Sequence, residues 1–141
     1  MRNPYGDPYD SSYIIEFVHR LNAINISIIS LADTVGVASP EVIGNAFGSL
    51  VPEFPEIEFG AHFHSKKEEM DKRLEAAWMT GCRRFDGAIK GFGGCPMAED
   101  ELVGNMATEI MIDFFVSKKI DLGLQMSDFQ DAILISQDVF G

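Results

Sequence analysis

Basic residues and cysteines are scarce in this sequence, and long apolar runs are missing. Lysine and arginine number 11 against 22 aspartates and glutamates, so the formal net charge is -11 over 141 residues. Nucleic acids and anionic membrane surfaces are bound through clustered basic side chains, so this balance argues against both as partners. No apolar run approaches the roughly 20 residues that a membrane-spanning helix needs. The opening residues 1–10 also lack the apolar stretch of a signal peptide.

Cys82 and Cys95 are the two cysteines of the chain. Without a signal-like start, a reduced cytoplasmic setting is expected, and each cysteine is expected to be a free thiol. Apolar residues make up 46% of the sequence, which is enough to bury the core of one ordinary domain.

Apolar spacing predicts eight elements in the order α-β-α-β-α-β-α-α. Strands are expected at 26–34, 57–64 and 83–89, and helices at 9–25, 39–54, 66–81, 105–119 and 126–140. Ser39 and Pro40 are the expected N-cap and first residue of the second helix, and Pro52 is expected to end it. Ser127 or Asp128 is expected to cap the last helix. The alternation of strands and helices is typical of βαβ units, so we expect an α/β fold with a parallel sheet.

Polar residues gather where the predicted strands end. Asp33 closes the first strand, His62 and His64 close the second, and Cys95 and Asn105 follow the third. The carboxyl ends of parallel strands share one edge of the sheet, which is where α/β folds place their sites.

His62 and His64 are two apart on a strand, so both side chains should project to the same face. Two imidazoles on one face can hold a divalent metal ion, or they can be hydrogen-bonded polar residues at a strand end. Asn105 can add a neutral oxygen ligand or can cap the helix that follows. Asp33 can be a ligand, a residue that orients a ligand or a substrate contact, or it can stabilise a helix-start turn.

Cys95 lies in the segment GFGGCP, residues 91–96. Gly93 and Gly94 allow the backbone to approach a ligand closely, and successive N–H groups of such a loop can bind an anion. A thiol there can act as a general acid or base, or it can be inert packing. The flanking glycines and Pro96 favour a functional role for Cys95, whereas Cys82 is expected to be packing.

Four segments occur in the order and spacing of 3-hydroxy-3-methylglutaryl-CoA lyases. They are SLADTVGVASPEVI, AHFH, GAIKGFGGCPMA and GNMATE, and the resemblance runs from about residue 3 to about residue 118. The glycine-cysteine-proline loop is the most specific part, because other barrels of the superfamily share the histidine pair without this loop.

The resemblance implies the fold, reaction and site residues of that family. The fold would be a metal-dependent (β/α)8 TIM barrel that cleaves hydroxymethylglutaryl-CoA to acetyl-CoA and acetoacetate. His62, His64 and Asn105 would bind Mg²⁺ or Mn²⁺. Cys95 would take part in proton transfer and Asp33 would be the active-site acid, with an acyl-CoA as substrate.

Some family features are replaced or missing. Ser65 and Lys66 stand where the family usually has Asp-Thr, and Met97 replaces a common tyrosine. The family's remaining metal ligand, an aspartate beside a catalytic arginine, belongs to the first barrel strand. A complete barrel needs roughly 250 residues. Residues 1–141 are therefore expected to form the carboxyl-terminal half, about strands 6 to 8 with three parallel strands and covering helices, without the amino-terminal half.

An incomplete barrel raises the question of what covers its sheet. Two strand edges and an inner face of β-branched side chains would be open, so we expect a homo-oligomer or a complementary amino-terminal half as partner. The isolated chain is expected to be inactive. A non-catalytic metal-binding module, a purely structural half barrel and a related metal aldolase or acyl-CoA synthase-type barrel remain alternatives.

Overall fold

The computed structural model describes residues 11–93 and 103–140. These residues form five α-helices and three strands that alternate over most of the chain. In chain order they are α1 (Ser11–Asn22), β1 (Ile28–Asp33), α2 (Pro40–Glu53), β2 (Glu58–Phe63), α3 (Lys67–Met79), β3 (Arg84–Asp86), α4 (Thr108–Ser117) and α5 (Met126–Phe140). The strands form one parallel sheet in the order β1-β2-β3, as the βαβ pattern predicts. None of the described helices is long and apolar enough to cross a membrane.

The start of α2 follows the sequence prediction. The Ser39 hydroxyl accepts a hydrogen bond from the Val42 N–H, and Pro40 is the first helical residue. This arrangement satisfies one of the unpaired N–H groups of the first turn. Pro52 does not end the helix, which continues to Glu53 with the proline inside its last turn.

Two other boundaries differ from the predictions. α5 begins at Met126, so the prediction that Ser127 or Asp128 caps it is wrong, and both residues lie inside its first turn. β3 covers residues Arg84–Asp86 and is followed by a short 3-10 turn at Ile89–Gly91. A turn in which Lys90 has φ 56° cannot continue a strand.

The core lies between the sheet and the helices α2, α3 and α4. Leu31 and Phe63 point into it from β1 and β2, and Phe47 and Leu74 meet them from α2 and α3. All four side chains are buried. Burying each apolar side chain of this size stabilises the fold by about 1.5–3 kcal/mol, so this layer fixes the sheet from one side.

The other face of the sheet is polar. Ser30 donates a hydrogen bond to the Asp86 carboxylate at 3.2 Å, and the Arg84 guanidinium lies 3.5 Å from Glu58. Ile28 is the β-branched side chain of this face and is 50% exposed. The expectation of a β-branched inner face is wrong, because the period-two alternation of β1 directs Ile29 and Leu31 towards the helices.

Candidate active site

The two histidines meet at the carboxyl end of β2. His62 is in the strand and His64 follows its last residue, and their ring centroids are 5.6 Å apart at an angle of 65° between the planes. His64 is buried, whereas His62 is partly exposed on the polar face of the sheet. The strand therefore brings the two imidazoles together, as their spacing predicts.

His64 is held by its backbone and by its ring. The N–H of His64 donates to the carbonyl oxygen of Asp33 at 3.0 Å. Its ring Nδ1 lies 2.8 Å from the carbonyl oxygen of Val103, which can only accept a hydrogen bond. Nδ1 is therefore the protonated nitrogen, and Nε2 is the atom that could bind a cation. Metal-binding histidines are commonly oriented in this way by a backbone carbonyl.

Asn105 lies beside His64 because its segment returns along the end of β2. His64 and Asn105 are paired in an isolated antiparallel bridge, and the Ser65 N–H donates to the carbonyl oxygen of Gly104. The Asn105 amide nitrogen donates to the carbonyl oxygens of Phe92 and Gly93 at 2.8 and 3.2 Å. These bonds occupy the nitrogen and leave the amide oxygen as the atom with which Asn105 would bind a cation.

Asn105 does not cap the following helix. α4 begins at Thr108 after Ala107, which makes no side-chain capping bond.

Gly93 has φ 87°, and a Cβ atom built on it would lie 3.0 Å from the Asn105 amide nitrogen. A glycine at this position therefore allows the loop backbone to reach the asparagine.

Asp33 is buried at the end of β1, and its carboxylate contacts the protein itself. The oxygens accept bonds from the Val37 and Ala38 N–H groups at 3.2 and 2.8 Å, and one lies 3.1 Å from the Arg73 guanidinium. These contacts organise the loop before α2, which fits the turn-stabilising alternative. The catalytic role of Asp33 stays a prediction.

Arg73 is the residue that the sequence interpretation missed. It is 4% exposed and bonds to groups around the site. Arg73 lies on α3 at the spacing of the buried Met70, Leu74 and Ala77. An arginine among core-facing positions of a helix needs buried partners, so this periodicity was the signal that could have identified it.

Gly94 and Cys95 lie outside the described residues, so the predicted roles of the loop thiol and of this glycine stay predictions. Cys82 is a free, fully buried cysteine. Burial raises the pKa of its thiol from 9.0 to about 11, opposed by the hydrogen bond with the Arg84 backbone. A thiol with so high a pKa is protonated at neutral pH, as expected of packing.

His62, His64 and Asn105 could hold a divalent ion as an incomplete ligand set. Two imidazole nitrogens and one amide oxygen suit a borderline or hard cation. Over residues 11–93 and 103–140, no group of three or more histidine, cysteine, aspartate or glutamate side chains could hold a metal ion. The set therefore leaves coordination positions for ligands from elsewhere, such as water, substrate or another segment.

Comparison with known proteins identifies the family to which this chain belongs. The family model HMGL-like matches residues 5–135. The chain therefore belongs to the HMGL-like family. A hydroxymethylglutaryl-CoA lyase of Bacillus subtilis is 35% identical over 112 residues, covering 77% of this chain and 37% of that protein. An (R)-citramalyl-CoA lyase of Chloroflexus aurantiacus is 32% identical over 127 residues, covering 87% and 40%.

Solved structures show the same partial match. The crystal structure of a Bacillus subtilis HMG-CoA lyase superposes with a TM-score of 0.86 at 26% identity, over 96% of this chain and 45% of that one. An Acinetobacter baumannii HMG-CoA lyase in complex with coenzyme A and 3-methylmalate has a TM-score of 0.73 at 29% identity, over 84% and 38%. The fold is thus the carboxyl-terminal half of a (β/α)8 barrel, and the chain spans less than half the length of these relatives.

Proposed function

We propose that this chain supplies the metal-binding half of a lyase that cleaves 3-hydroxy-3-methylglutaryl-CoA to acetyl-CoA and acetoacetate. The observation that carries the proposal is the convergence of His62, His64 and Asn105 at one end of the sheet in an HMGL-like fold. Mg²⁺ or Mn²⁺ would suit these nitrogen and oxygen donors. The bound ion would polarise oxygen atoms of the substrate.

The reaction needs one base and one acid. A base removes the proton of the tertiary hydroxyl group, and the carbon that carried it becomes the ketone of acetoacetate. The electron pair of the broken C–C bond passes to the thioester fragment as an enolate, and an acid delivers a proton to its carbon to give acetyl-CoA. Cys95 is the candidate acid, on the family resemblance of its loop.

The polar sheet face favours a second half of the barrel as the partner. On this face Arg84 pairs with Glu58 of the neighbouring strand and with Asp86 of its own strand. Ser30 donates a hydrogen bond to Asp86 across the sheet. In a closed barrel such side chains would pack against those of further strands. Another copy of this chain or a separate amino-terminal half could supply them, and we expect the isolated chain to have no lyase turnover.

Titration with Mn²⁺ tests the metal site. The chain should bind Mn²⁺ in calorimetry, and a His62→Ala/His64→Ala double variant should not. His19→Ala is the matched control, because His19 is exposed beside Glu53 and lies on α1 rather than at the site. Equal binding by the parent chain and the double variant would overturn the proposed site.

A citramalyl-CoA lyase activity is the second candidate. The relative from Chloroflexus aurantiacus is 32% identical over 87% of this chain and is named for a different acyl-CoA. Both substrates are thioesters of hydroxylated acids, so the residues of this half would serve either. Assays of the chain joined to an amino-terminal half with each acyl-CoA would separate them through the ratio of kcat/KM values.

A non-catalytic metal-binding module is a further alternative. The chain covers 37% of the Bacillus subtilis relative, so the match to that enzyme is partial. Mn²⁺ binding without turnover in the joined protein would favour this alternative over both lyases.

A further inference from the structure

Arg73 joins three segments around the predicted metal ligand His64. Its Nη1 atom donates to an Asp33 carboxylate oxygen at 3.1 Å and to the carbonyl oxygen of His64 at 3.2 Å. Its Nη2 atom donates to the carbonyl oxygen of Gly36 at 2.7 Å and to Glu69 at 2.8 Å. One guanidinium on α3 therefore ties the ends of β1 and β2 to each other.

The position of His64 depends on this arginine at its backbone. The His64 N–H is bound to the Asp33 carbonyl, its own carbonyl to Arg73, and its ring to the Val103 carbonyl. Gly36, which has φ 67°, comes so close that a Cβ atom built on it would lie 3.0 Å from the His64 oxygen. The peptide of His64 is thus enclosed by the loop that Arg73 and Asp33 organise.

The two Nη atoms of Arg73 donate to four acceptors around His64, whereas, among the residues that the structure describes, its Nε atom donates to none. Within the parts of the chain that the structure describes, the buried Arg73 Nε has no hydrogen-bond partner. A buried donor normally finds one, since an unmade bond is costly. The fork of Nη1 and Nη2 is instead placed where it can reach four acceptors, a geometry that a lysine ammonium cannot reproduce.

We propose that Arg73 is a positioning residue for the metal ligand His64. By fixing the carbonyl of His64 and the loop around it, Arg73 holds the imidazole with Nε2 available for the ion. The inference rests on the proposed function, because it assigns a purpose to the orientation of a predicted ligand. It also makes a claim about the metal-free chain: by holding the backbone of His64, Arg73 keeps the ring against the Val103 carbonyl, and that carbonyl selects the Nδ1–H tautomer.

Arg73→Lys tests the proposal because it keeps the positive charge and removes the fork. Leu74→Val is the matched control, since Leu74 is the next residue of α3, is fully buried and contacts the core rather than His64. Glu69→Gln is a milder second variant that weakens the hold on Nη2 at a half-exposed carboxylate. Two quantities are measured on the whole chain: the Mn²⁺ dissociation constant, and the ¹⁵N shifts of the His64 ring without metal.

Arg73→Lys should weaken Mn²⁺ binding by about 10-fold, the lower end for loss of a group that orients a ligand, while Leu74→Val should stay within about twofold. The ring shifts should show the Nδ1–H tautomer in the parent chain and in Leu74→Val, and a mixture of tautomers in Arg73→Lys. Glu69→Gln should move both quantities in the same direction by less, and it carries the test if Arg73→Lys does not fold.

Two failures are distinguishable. If the parent chain binds no Mn²⁺, the proposed metal site fails, while the His64 shifts still report on the role of Arg73. If Arg73→Lys and Glu69→Gln leave the His64 shifts unchanged, or if Leu74→Val weakens Mn²⁺ binding as much as Arg73→Lys does, the positioning role is refuted.

Discussion

Asp33→Asn should destabilise the fold strongly, because it removes the charge that compensates a buried arginine. The side chain of Asp33 is 1% exposed, and the side chain of its partner Arg73 is 5% exposed. Breaking a buried ion pair from one side costs about 3–5 kcal/mol. Arg73 keeps Glu69 as a second partner and the asparagine can still accept a backbone bond, so we expect the lower end, about 3 kcal/mol.

Urea unfolding followed by circular dichroism measures this loss. The free energy of unfolding falls by about 2 kcal/mol for each molar of urea, so a loss of about 3 kcal/mol in stability lowers the urea midpoint by roughly 1.5 M. Glu69→Gln is the control, because its carboxylate is 55% exposed and contacts the same guanidinium. An exposed pair contributes less than about 1 kcal/mol, so that midpoint should fall by less than about 0.5 M. Equal shifts for the two variants would refute the buried-pair reasoning.

Three further predictions concern backbone conformation, pH and the loop thiol. Gly36→Ala should cost about 2 kcal/mol because of its positive φ, whereas Gly48→Ala in α2 should be neutral or stabilise by up to about 1 kcal/mol; equal urea midpoints would contradict this. Because burial raises the pKa of Cys82 from 9.0 to about 11, the folded chain keeps a proton that the unfolded chain releases between those values. Stability should therefore fall by about 2–3 kcal/mol as the pH rises through that window, and a Cys82→Ala variant that shows the same slope would exclude the thiol as its cause. In a barrel with its amino-terminal half restored, Cys95→Ser should lower kcat by roughly 100-fold or more without changing Mn²⁺ affinity, and near-wild-type turnover would leave Cys95 a packing role.

The order of the elements could be predicted because each has a strong local signal. The helix α2 has its serine cap and proline start, and the apolar runs of β1 and β2 lie between helices of the right length. Boundaries were predicted less well. Residues 83–89 look like one strand by composition, yet pairing with β2 ends at Asp86. The Met106 N–H donates to the Phe63 carbonyl at the end of β2, and the Ala88 N–H donates to the Met106 carbonyl. A segment distant in sequence therefore ends this strand, and composition cannot show that.

The site was predictable in part, for a similar reason. The spacing of His62 and His64 fixes their shared face, and the structure confirms that they meet. The sequence could not decide whether Asp33 binds a ligand or stabilises a turn, because its partner Arg73 is 40 residues away in sequence. Only the packing of α3 on the sheet brings the two together. A charged residue at a core-facing helix position is a local signal for such a long-range partner, although it does not identify that partner.

The polar face of the sheet restricts the kind of partner that could cover it. A β-branched face would favour any apolar partner, since burial of apolar area is not directional. Glu58, Arg84 and Asp86 instead place two carboxylates and one guanidinium on the open side. If these groups are buried, the excess negative charge needs a cation or further donors, because an uncompensated buried charge is strongly unfavourable. The covering segment must therefore match particular charges at particular positions, which favours a dedicated complementary half of the barrel over non-specific association.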